Sequence, residues 1–475
     1  MHTLGRSPHP SANDPGVSIA PRAELIERFD VAGPRYTSYP TADRFVEAYD
    51  ASNLDRWLGQ RAAVGWHQPL SVYVHVPFCA SVCYYCACNK IVTKDRERGR
   101  AYVEDLMREV ELYGERLGRR EPVGQMHFGG GTPTFLDGET LQTVIEGLER
   151  VFAFTPQAER SIEVDPRTVD VARLRELRDQ RFDRLSFGVQ DFDADVQAAV
   201  HRVQSTEQVF ELTRAAREIG FESVNVDLIH GLPRQTEATF RRTLETLVEL
   251  RPDRVAVYGY AHLPERFKPQ RRIHTVELPP ARDKLAMMRM AIQTLTENGY
   301  VYIGMDHFAL PDDALAVAQR RGMLHRNFMG YTTQPDCDML GLGVSAIGRM
   351  GPSYAQNFRT LDEYSDSVRA GRLPIHRGYE LTRDDMLRRS AIMSIMCSGE
   401  VSFAALESAF LVDPKLAFSE ELGRLREFQE LGLVRIDQDG IAVTAPGRYF
   451  VRAIAMVFDR YLRSAMQRGA YSRVL

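Results

Sequence analysis

Three cysteines, Cys79, Cys83 and Cys86, stand in the spacing C-x3-C-x2-C, and Cys88 follows closely. Three thiolates on one tight loop can hold three irons of a 4Fe–4S cluster. The fourth iron then has no protein ligand, and the amino and carboxylate groups of S-adenosylmethionine suit it. An electron from such a cluster cleaves the sulfonium and yields a 5′-deoxyadenosyl radical, which removes hydrogen from unactivated carbon. The plainer alternative is a zinc loop. Zinc sites use C-x2-C or C-x4-C pairs in two halves with four ligands, and the second half is missing here. Spacing leaves Cys88 open as a fourth ligand or an unligated neighbour. The remaining cysteines, Cys337 and Cys397, stand alone and read as small core residues. Clustered thiols are the opposite of a disulfide framework and fit a reducing compartment.

Something must carry this loop and face it with partners. Six stretches rich in Val, Ile, Leu, Phe and Tyr read as buried parallel strands: Leu70–Val76, Gln125–Phe128, Arg160–Val164, Arg184–Val189, Ser223–Ile229 and Arg254–Tyr260. Helical patterns separate them, over Tyr102–Leu117, Glu139–Phe152, Val169–Asp179, Thr206–Ile219 and Thr236–Leu250. Alternation of this kind predicts an α/β fold with a parallel sheet. Six units are visible and two more are not, so a partial (β/α)6 barrel is expected.

In such barrels chemistry gathers at the C-terminal strand ends. The first strand runs into the cysteine loop, and the second into Gly129-Gly130-Gly131-Thr132-Pro133-Thr134. The third ends near Glu163 and Asp165, the fourth at Gln190, the fifth at Asp227 and the sixth at Tyr260-Ala261. Each residue has a bland reading. Gly-Thr-Pro is ordinary turn chemistry, Glu163 could sit in a strand-end salt bridge, and Asp227 could cap a loop. Their common location favours function.

The cysteine loop matches the radical S-adenosylmethionine superfamily. Beyond it, RYTSYPTA at 35–42, GGGTPT at 129–134, IEVDPR at 162–167, GVQDF at 188–192, NVDLIHGLP at 225–233, YAHLP at 260–264 and HRNFMGYTTQ at 325–334 appear in order. With the cysteine run these resemble the oxygen-independent coproporphyrinogen III oxidases over almost the whole chain. The resemblance implies anaerobic oxidative decarboxylation of the ring A and B propionates of coproporphyrinogen III to vinyls, giving protoporphyrinogen IX. It implies that Cys79, Cys83 and Cys86 bind iron and that Cys88 is required without binding it. It implies two S-adenosylmethionine molecules: one contacted at Tyr73, Gly130 and Glu163, the other at Tyr85, Gly131, Thr132, Gln190, Arg202, Asp227, Ala261 and Ile347. Arg202 would pair with a carboxylate in a two-pronged geometry. His230 and Gly259 depart from the family, which more often has Tyr and Asn there.

A substrate with four propionates on an apolar macrocycle needs cationic donors and greasy surface. Arg35 and the segment His325-Arg326-Asn327-Phe328 offer both, and both segments are expected to close over the barrel mouth. The alternative for Arg35 and Arg326 is a solvated surface charge. An electron donor and a terminal acceptor are required and are not visible in the sequence.

From about Glu380 the character changes to helices at Met386–Met396, Ala404–Phe410 and Leu422–Leu431. A hairpin, Val434–Ile436 with Ile441–Thr444 around an Asp-Gly turn, and a last helix Arg448–Leu462 complete a winged-helix-like unit. Acidic and basic residues number 13 each from Glu380 onward, so no positive field for DNA exists there. The expected organisation is a disordered tail at 1–22, an N-terminal arm at 23–69, a catalytic domain at 70–375 and a C-terminal helical domain at 376–475.

The whole chain has 475 residues, 44% hydrophobic, with net charge −4, which excludes a general nucleic-acid binder and supports two domains. No apolar run spans a membrane, and the N-terminus lacks a signal-peptide core. A cytoplasmic monomer is expected. Three competitors share parts of the pattern. A haem-trafficking chaperone of the same superfamily usually has Phe at the position of Cys88 and lacks the 35–42 and 325–334 segments. A haem-opening enzyme is the second, and a structural iron–sulfur or zinc protein the third.

Overall fold

The computed structural model describes residues 23–29, 31–64 and 68–462. The expected tail at 1–22 lies outside them. Twelve strands form one sheet. The first six are β1 (Leu70–Val76), β2 (Pro122–Gly130), β3 (Ala153–Val164), β4 (Arg184–Gln190), β5 (Ser223–His230) and β6 (Arg254–Gly259). They run parallel in sequence order, as the alternation of strand and helix predicts. Helices Glu97–Leu117, Gly138–Val151, Val171–Asp179, Thr206–Ile219 and Glu237–Leu250 connect them, and Ala281–Glu297 follows β6.

The sheet does not stop at six strands. Beyond β6 lie β7 (Val301–Gly304) and β8 (His307–Ala309), with β8 antiparallel to β6. On the other edge β9 (Met339–Leu342) pairs with β1 as a seventh parallel strand. The antiparallel strands β10 (Ile347–Met350), β11 (Ser353–Asn357) and β12 (Ile375–Glu380) extend it further. A chain that left β1's edge open would expose a row of unpaired backbone groups, and β9 covers it. Because β12 runs to Glu380 inside this sheet, the expected boundary at 375/376 falls within a strand.

The strands face two environments. Val72, Val74, Met126, Phe128, Ile162, Val164, Phe187 and Val226 point outward and are buried under the helices. The alternate residues point into the lumen. These are Tyr73 and His75 of β1, His127 of β2, Ser161 and Glu163 of β3, Ser186 and Gly188 of β4, Asn225 and Asp227 of β5, and Tyr258 of β6. Register places Tyr73 beside His127, Glu163 beside Ser186, and Gly188 beside Asp227. Apolar outside and polar inside gives a barrel wall whose lumen is chemically equipped.

The C-terminal helices are Arg383–Cys397, Phe403–Phe410 and Ser419–Glu430, near their expected bounds. The hairpin gains a third strand, Glu400–Ser402, too short to carry a readable period. Its turn is a four-residue loop in which the Asp437 side chain accepts from Asp439 N (2.9 Å) and Gly440 N (3.2 Å). Gly440 is there for space: a Cβ would meet Val401 O at 2.0 Å. The last expected helix is a 3-10 turn, Pro446–Phe450, and a short helix, Val451–Met456. Just past its end, side chains take the carbonyls that a longer helix would use: Arg424 donates to Val457 O (2.9 Å) and Arg388 to Phe458 O (3.1 Å). Among the described residues no helix is long and apolar enough to cross a membrane.

Candidate active site

The C-terminal strand ends surround a half-open cavity of about 280 Å³. Twelve of the residues expected to bind iron or S-adenosylmethionine, or to support them, line it: Cys79, Cys83, Tyr85, Cys86, Cys88, Gly130, Gly131, Thr132, Glu163, Gln190, Arg202 and Asp227. Asp165, Arg167, Ser186, Tyr258 and Lys90 join them.

Backbone chemistry explains the glycines. Gly131 passes so close to the strand leading into the cysteine loop that a Cβ would meet Phe78 O at 2.7 Å. Gly130 sits at φ +109, and a Cβ there would strike the His75 ring at 2.5 Å. The β4 end is irregular too. Its register slips between Gly188 and Gln190, and Gln190 adopts φ 73. A bulge of this kind re-aims a side chain, and strain at a non-glycine residue clusters at functional sites.

The thiols sit among donors. Cys79 Sγ accepts from Thr132 Oγ1 at 3.5 Å, and Cys83 Sγ from Arg202 at 3.4 Å and Arg167 at 3.5 Å. A hydrogen bond from Cys88 holds the Cys86 thiol down to about 6, with Lys90 adding to the effect. Lys90 also donates to Cys86 O at 2.9 Å. Burial pushes the Cys79 thiol up to about 11, so a bound cation must displace its proton. Thiol ligands with N–H and O–H donors around them fit an iron–sulfur group. No three His, Cys, Asp or Glu side chains converge on a single-ion site among the described residues. A cubane takes one thiolate per iron and does not require that convergence.

The carboxylates differ from one another. Burial would push Glu163 up, but a 3.5 Å contact with His127 and the Gly130 N–H at 3.2 Å hold it below its ordinary value. Asp227 is pushed up to about 6 by burial, although Asn225 (2.9 Å) and Ser186 (3.2 Å) donate to it. Asp165 is held low by Arg202 and Arg167 against its burial. Arg202 has less freedom than expected. Its Nε and Nη2 donate to Gly188 O, and Nη1 reaches Asp165 at 3.2 Å. A two-pronged grip on a ligand would require these bonds to yield.

Three expected contacts lie off the cavity. Tyr73 stands below it, bonded to His75 Nδ1 at 3.1 Å and stacked on His127. Ala261 lies just past β6, its carbonyl held by Gln270 at 3.2 Å. Ile347 begins β10 and packs with Phe45, Phe328 and Tyr354. Gln270 was not foreseen. It is 1% exposed and donates to both Tyr85 O (2.9 Å) and Ala261 O, so it ties the cysteine loop to the β6 end. A glutamine in an irregular loop carries no periodic signal that could have announced it. The two departures form a pair: His230 and Gly259 are register partners, and a Cβ on Gly259 would sit 3.2 Å from the His230 ring.

Arg35 and Arg326 meet at the mouth. The Arg35 guanidinium lies over the Tyr258 ring at 5.2 Å and pairs with Asp306. Arg326 Nε donates to Arg35 O at 3.3 Å from the hairpin His325–Asn327 with Gly330–Thr332. The N-terminal arm is fixed from behind. Tyr36 OH donates to Asp459 (3.0 Å), and Arg452 donates to Gly33 O (2.7 Å) and Pro34 O (3.2 Å).

Comparison with known proteins agrees over most of the chain. Residues 73–247 match the family model of the radical SAM superfamily, and 381–450 that of the HemN C-terminal domain. The chain is 47% identical to the oxygen-independent coproporphyrinogen III oxidase of Pseudomonas aeruginosa, covering 95% of this chain and 98% of that one. It is 46% identical to the Escherichia coli protein of the same name, with the same coverage. The solved structure of E. coli coproporphyrinogen III oxidase (HemN), described as a radical SAM enzyme, superposes with a TM-score of 0.87 at 45% identity. It covers 92% of this chain and 98% of that one.

Proposed function

The chain belongs to the oxygen-independent coproporphyrinogen III oxidases of the radical SAM superfamily, and from that premise we propose how its own residues perform the reaction. It is an oxidoreductase that decarboxylates propionates of coproporphyrinogen III to vinyls without oxygen. The observation that carries the residue assignment is the convergence of the cysteine loop, the 129–134 turn and three strand-end carboxylates on one cavity.

Cys79, Cys83 and Cys86 would each hold one iron of the cluster, leaving the fourth iron to S-adenosylmethionine. When bound, the cluster supplies one electron to S-adenosylmethionine, and so a carbon radical able to take hydrogen from the β-carbon of a propionate. Tyr73, Gly130 and Glu163 are our assignment for the first S-adenosylmethionine. Gly130 N–H already donates to Glu163, which leaves that carboxylate ionised beside an approaching ammonium. Tyr85, Gly131, Thr132, Gln190, Arg202, Asp227, Ala261 and Ile347 are our assignment for a second molecule. Asp227, with a raised affinity for protons, can hold a hydrogen bond as donor or acceptor. Cys88 faces Cys86 and is assigned a supporting role there. Arg35 and Arg326 would hold substrate carboxylates at the mouth, Arg35 by exchanging its bond to Asp306. The substrate gives up hydrogen, carbon dioxide and one electron for each vinyl formed, and an external acceptor must take the electron. Rings A and B, a cytoplasmic location and action as a monomer complete the proposal.

The test is an anaerobic assay with reconstituted cluster, S-adenosylmethionine, reductant, cell extract as acceptor and coproporphyrinogen III. Protoporphyrinogen, 5′-deoxyadenosine and carbon dioxide should appear together, and all three should vanish in Cys79→Ala. If S-adenosylmethionine is cleaved while the porphyrinogen is untouched and haem binds tightly, the chaperone or haem-opening reading replaces this one.

A further inference from the structure

The niche beside the mouth has an electrostatic surplus. Arg326 is 5% exposed and forms no ion pair among the described residues, and its buried Nη1 has no hydrogen-bond partner. A buried guanidinium without a counter-ion is costly, because its charge has left water with no opposite charge beside it. His307 lies next to it. The Arg326 guanidinium stacks over Tyr331 at 4.7 Å, and His307 meets the same ring edge-on at 5.3 Å. The buried His307 Nδ1 is also without a partner. Two other arginines reach this niche, and each is already neutralised: Arg35 by Asp306 and Arg254 by Asp313. Three guanidinium groups act on His307 against two paired carboxylates, so one positive charge is left over. Arg326 Nη1 and His307 Nδ1 are unpartnered, as is Arg254 Nη2, whose own guanidinium is paired through Nε.

We propose that Arg326 and His307 form the seat of one substrate carboxylate, from a propionate other than the one undergoing decarboxylation. This rests on the reading of the chain as a porphyrinogen decarboxylase. The carboxylate is a distal one because neither residue lines the cavity that holds the cysteines, and Tyr258, which does, stands between. Tyr258, which lines the cavity, gives the macrocycle an aromatic surface on the way from one region to the other. His307, kept neutral by burial and by the surrounding arginines, can donate one N–H to the carboxylate without bringing a further charge into the niche. The seat thus orients a flexible four-acid ring so that a particular propionate reaches the cavity.

The probe is coproporphyrin III, the fluorescent oxidised form of the substrate, titrated into reconstituted enzyme beside its tetramethyl ester. Arg326→Gln and His307→Phe should each weaken binding of the tetra-acid by about tenfold or more, as for hydrogen bonds to a charged group. The ester's affinity should not change. Phe at 307 keeps the ring packing against Tyr258 and Tyr331, so it isolates the nitrogen. Equal weakening of acid and ester in both variants would make the pair structural and overturn the seat. Unchanged binding of the acid would overturn it too. Carbon dioxide release by the parent enzyme is read in the same preparation. If the parent releases none, the enzymatic reading fails, while the contrast between acid and ester still judges the seat.

Discussion

Two buried polar assemblies flank the sheet, and they look alike until their hydrogen bonds are followed. One surrounds the cavity, with Glu163, Asp227, Gln190 and the cysteines facing open space. The other surrounds Glu109, on the helix Glu97–Leu117. Its Oε2 accepts from Gly343 N (2.7 Å) and Tyr364 OH (2.6 Å), and its Oε1 from Asn357 (2.7 Å). Asn357 donates back to Gly343 O at 2.9 Å, and Tyr102 bridges His75 O (2.6 Å) and Val344 N (3.1 Å). Glu109 is 0% exposed and fully engaged, so it serves the fold by binding the β9 end to β11 and two helices. Burial and polarity alone do not mark function. Unspent hydrogen-bonding capacity aimed at a cavity does.

The sharpest way to break this contrast is to remove one member of each. Cys83→Ala should reduce decarboxylation to background, because one iron loses its ligand, while the unfolding midpoint in denaturant stays near that of the parent. Glu109→Leu should do the reverse. Three donors lose their acceptor at once, which destabilises by about 3–5 kcal/mol at 1–3 kcal/mol per unsatisfied group, allowing for relaxation. Turnover per intact cluster in the surviving folded protein should match the parent. A Glu109 variant of full stability and no activity would erase the distinction.

Asp227 offers a smaller effect with a telling sign. Its carboxyl is pushed from 3.8 to about 6 by burial, so above that pH it is a charge held at a cost. Asp227→Asn keeps the contacts with Ser186 and Asn225 available and removes the charge. At neutral pH it should stabilise the fold by about 1–3 kcal/mol while slowing turnover. The measurement is a urea titration beside a kcat/KM determination. Loss of stability would mean that Asp227 belongs with Glu109 as a structural group.

The same distinction explains what could be read before any coordinates. Strand β1 and the helix Thr206–Ile219 have the bounds their patterns imply, because each buries a regular apolar stripe. The strand-end residues were legible through one positional rule, that parallel barrels gather chemistry at their C-terminal ends. Strand β9 was not legible: its four residues, Met339–Leu342, are too few to carry a readable period, and they follow a long connection from β8. The restraint of Arg202 was also hidden, since Asp165 and Cys83 meet it only through folding. Glu109, inside a helix of ordinary amphipathic pattern, gave no sign of its partners. Local period reveals elements, and topology reveals which ends meet. Partners of buried polar groups depend on contacts between distant segments and need the fold itself.

The mildest test is one of pH. Burial raises the Glu109 carboxyl from 4.5 to about 7, despite its three donors. Between these values the folded chain retains a proton that the unfolded chain has released. Stability therefore falls as pH rises through that window, and the contribution is largest below the unfolded value of 4.5. Glu109→Gln cannot release a proton, so its stability should decline less from acid to neutral pH, even though its plateau is lower because an amide cannot accept from all three donors. Urea midpoints collected across the window would show the two curves converging as pH rises. Parallel curves would mean that Glu109 stays ionised throughout, held by its three donors as firmly as Glu163 is held by His127 and Gly130, and the two assemblies would then differ in their occupants alone.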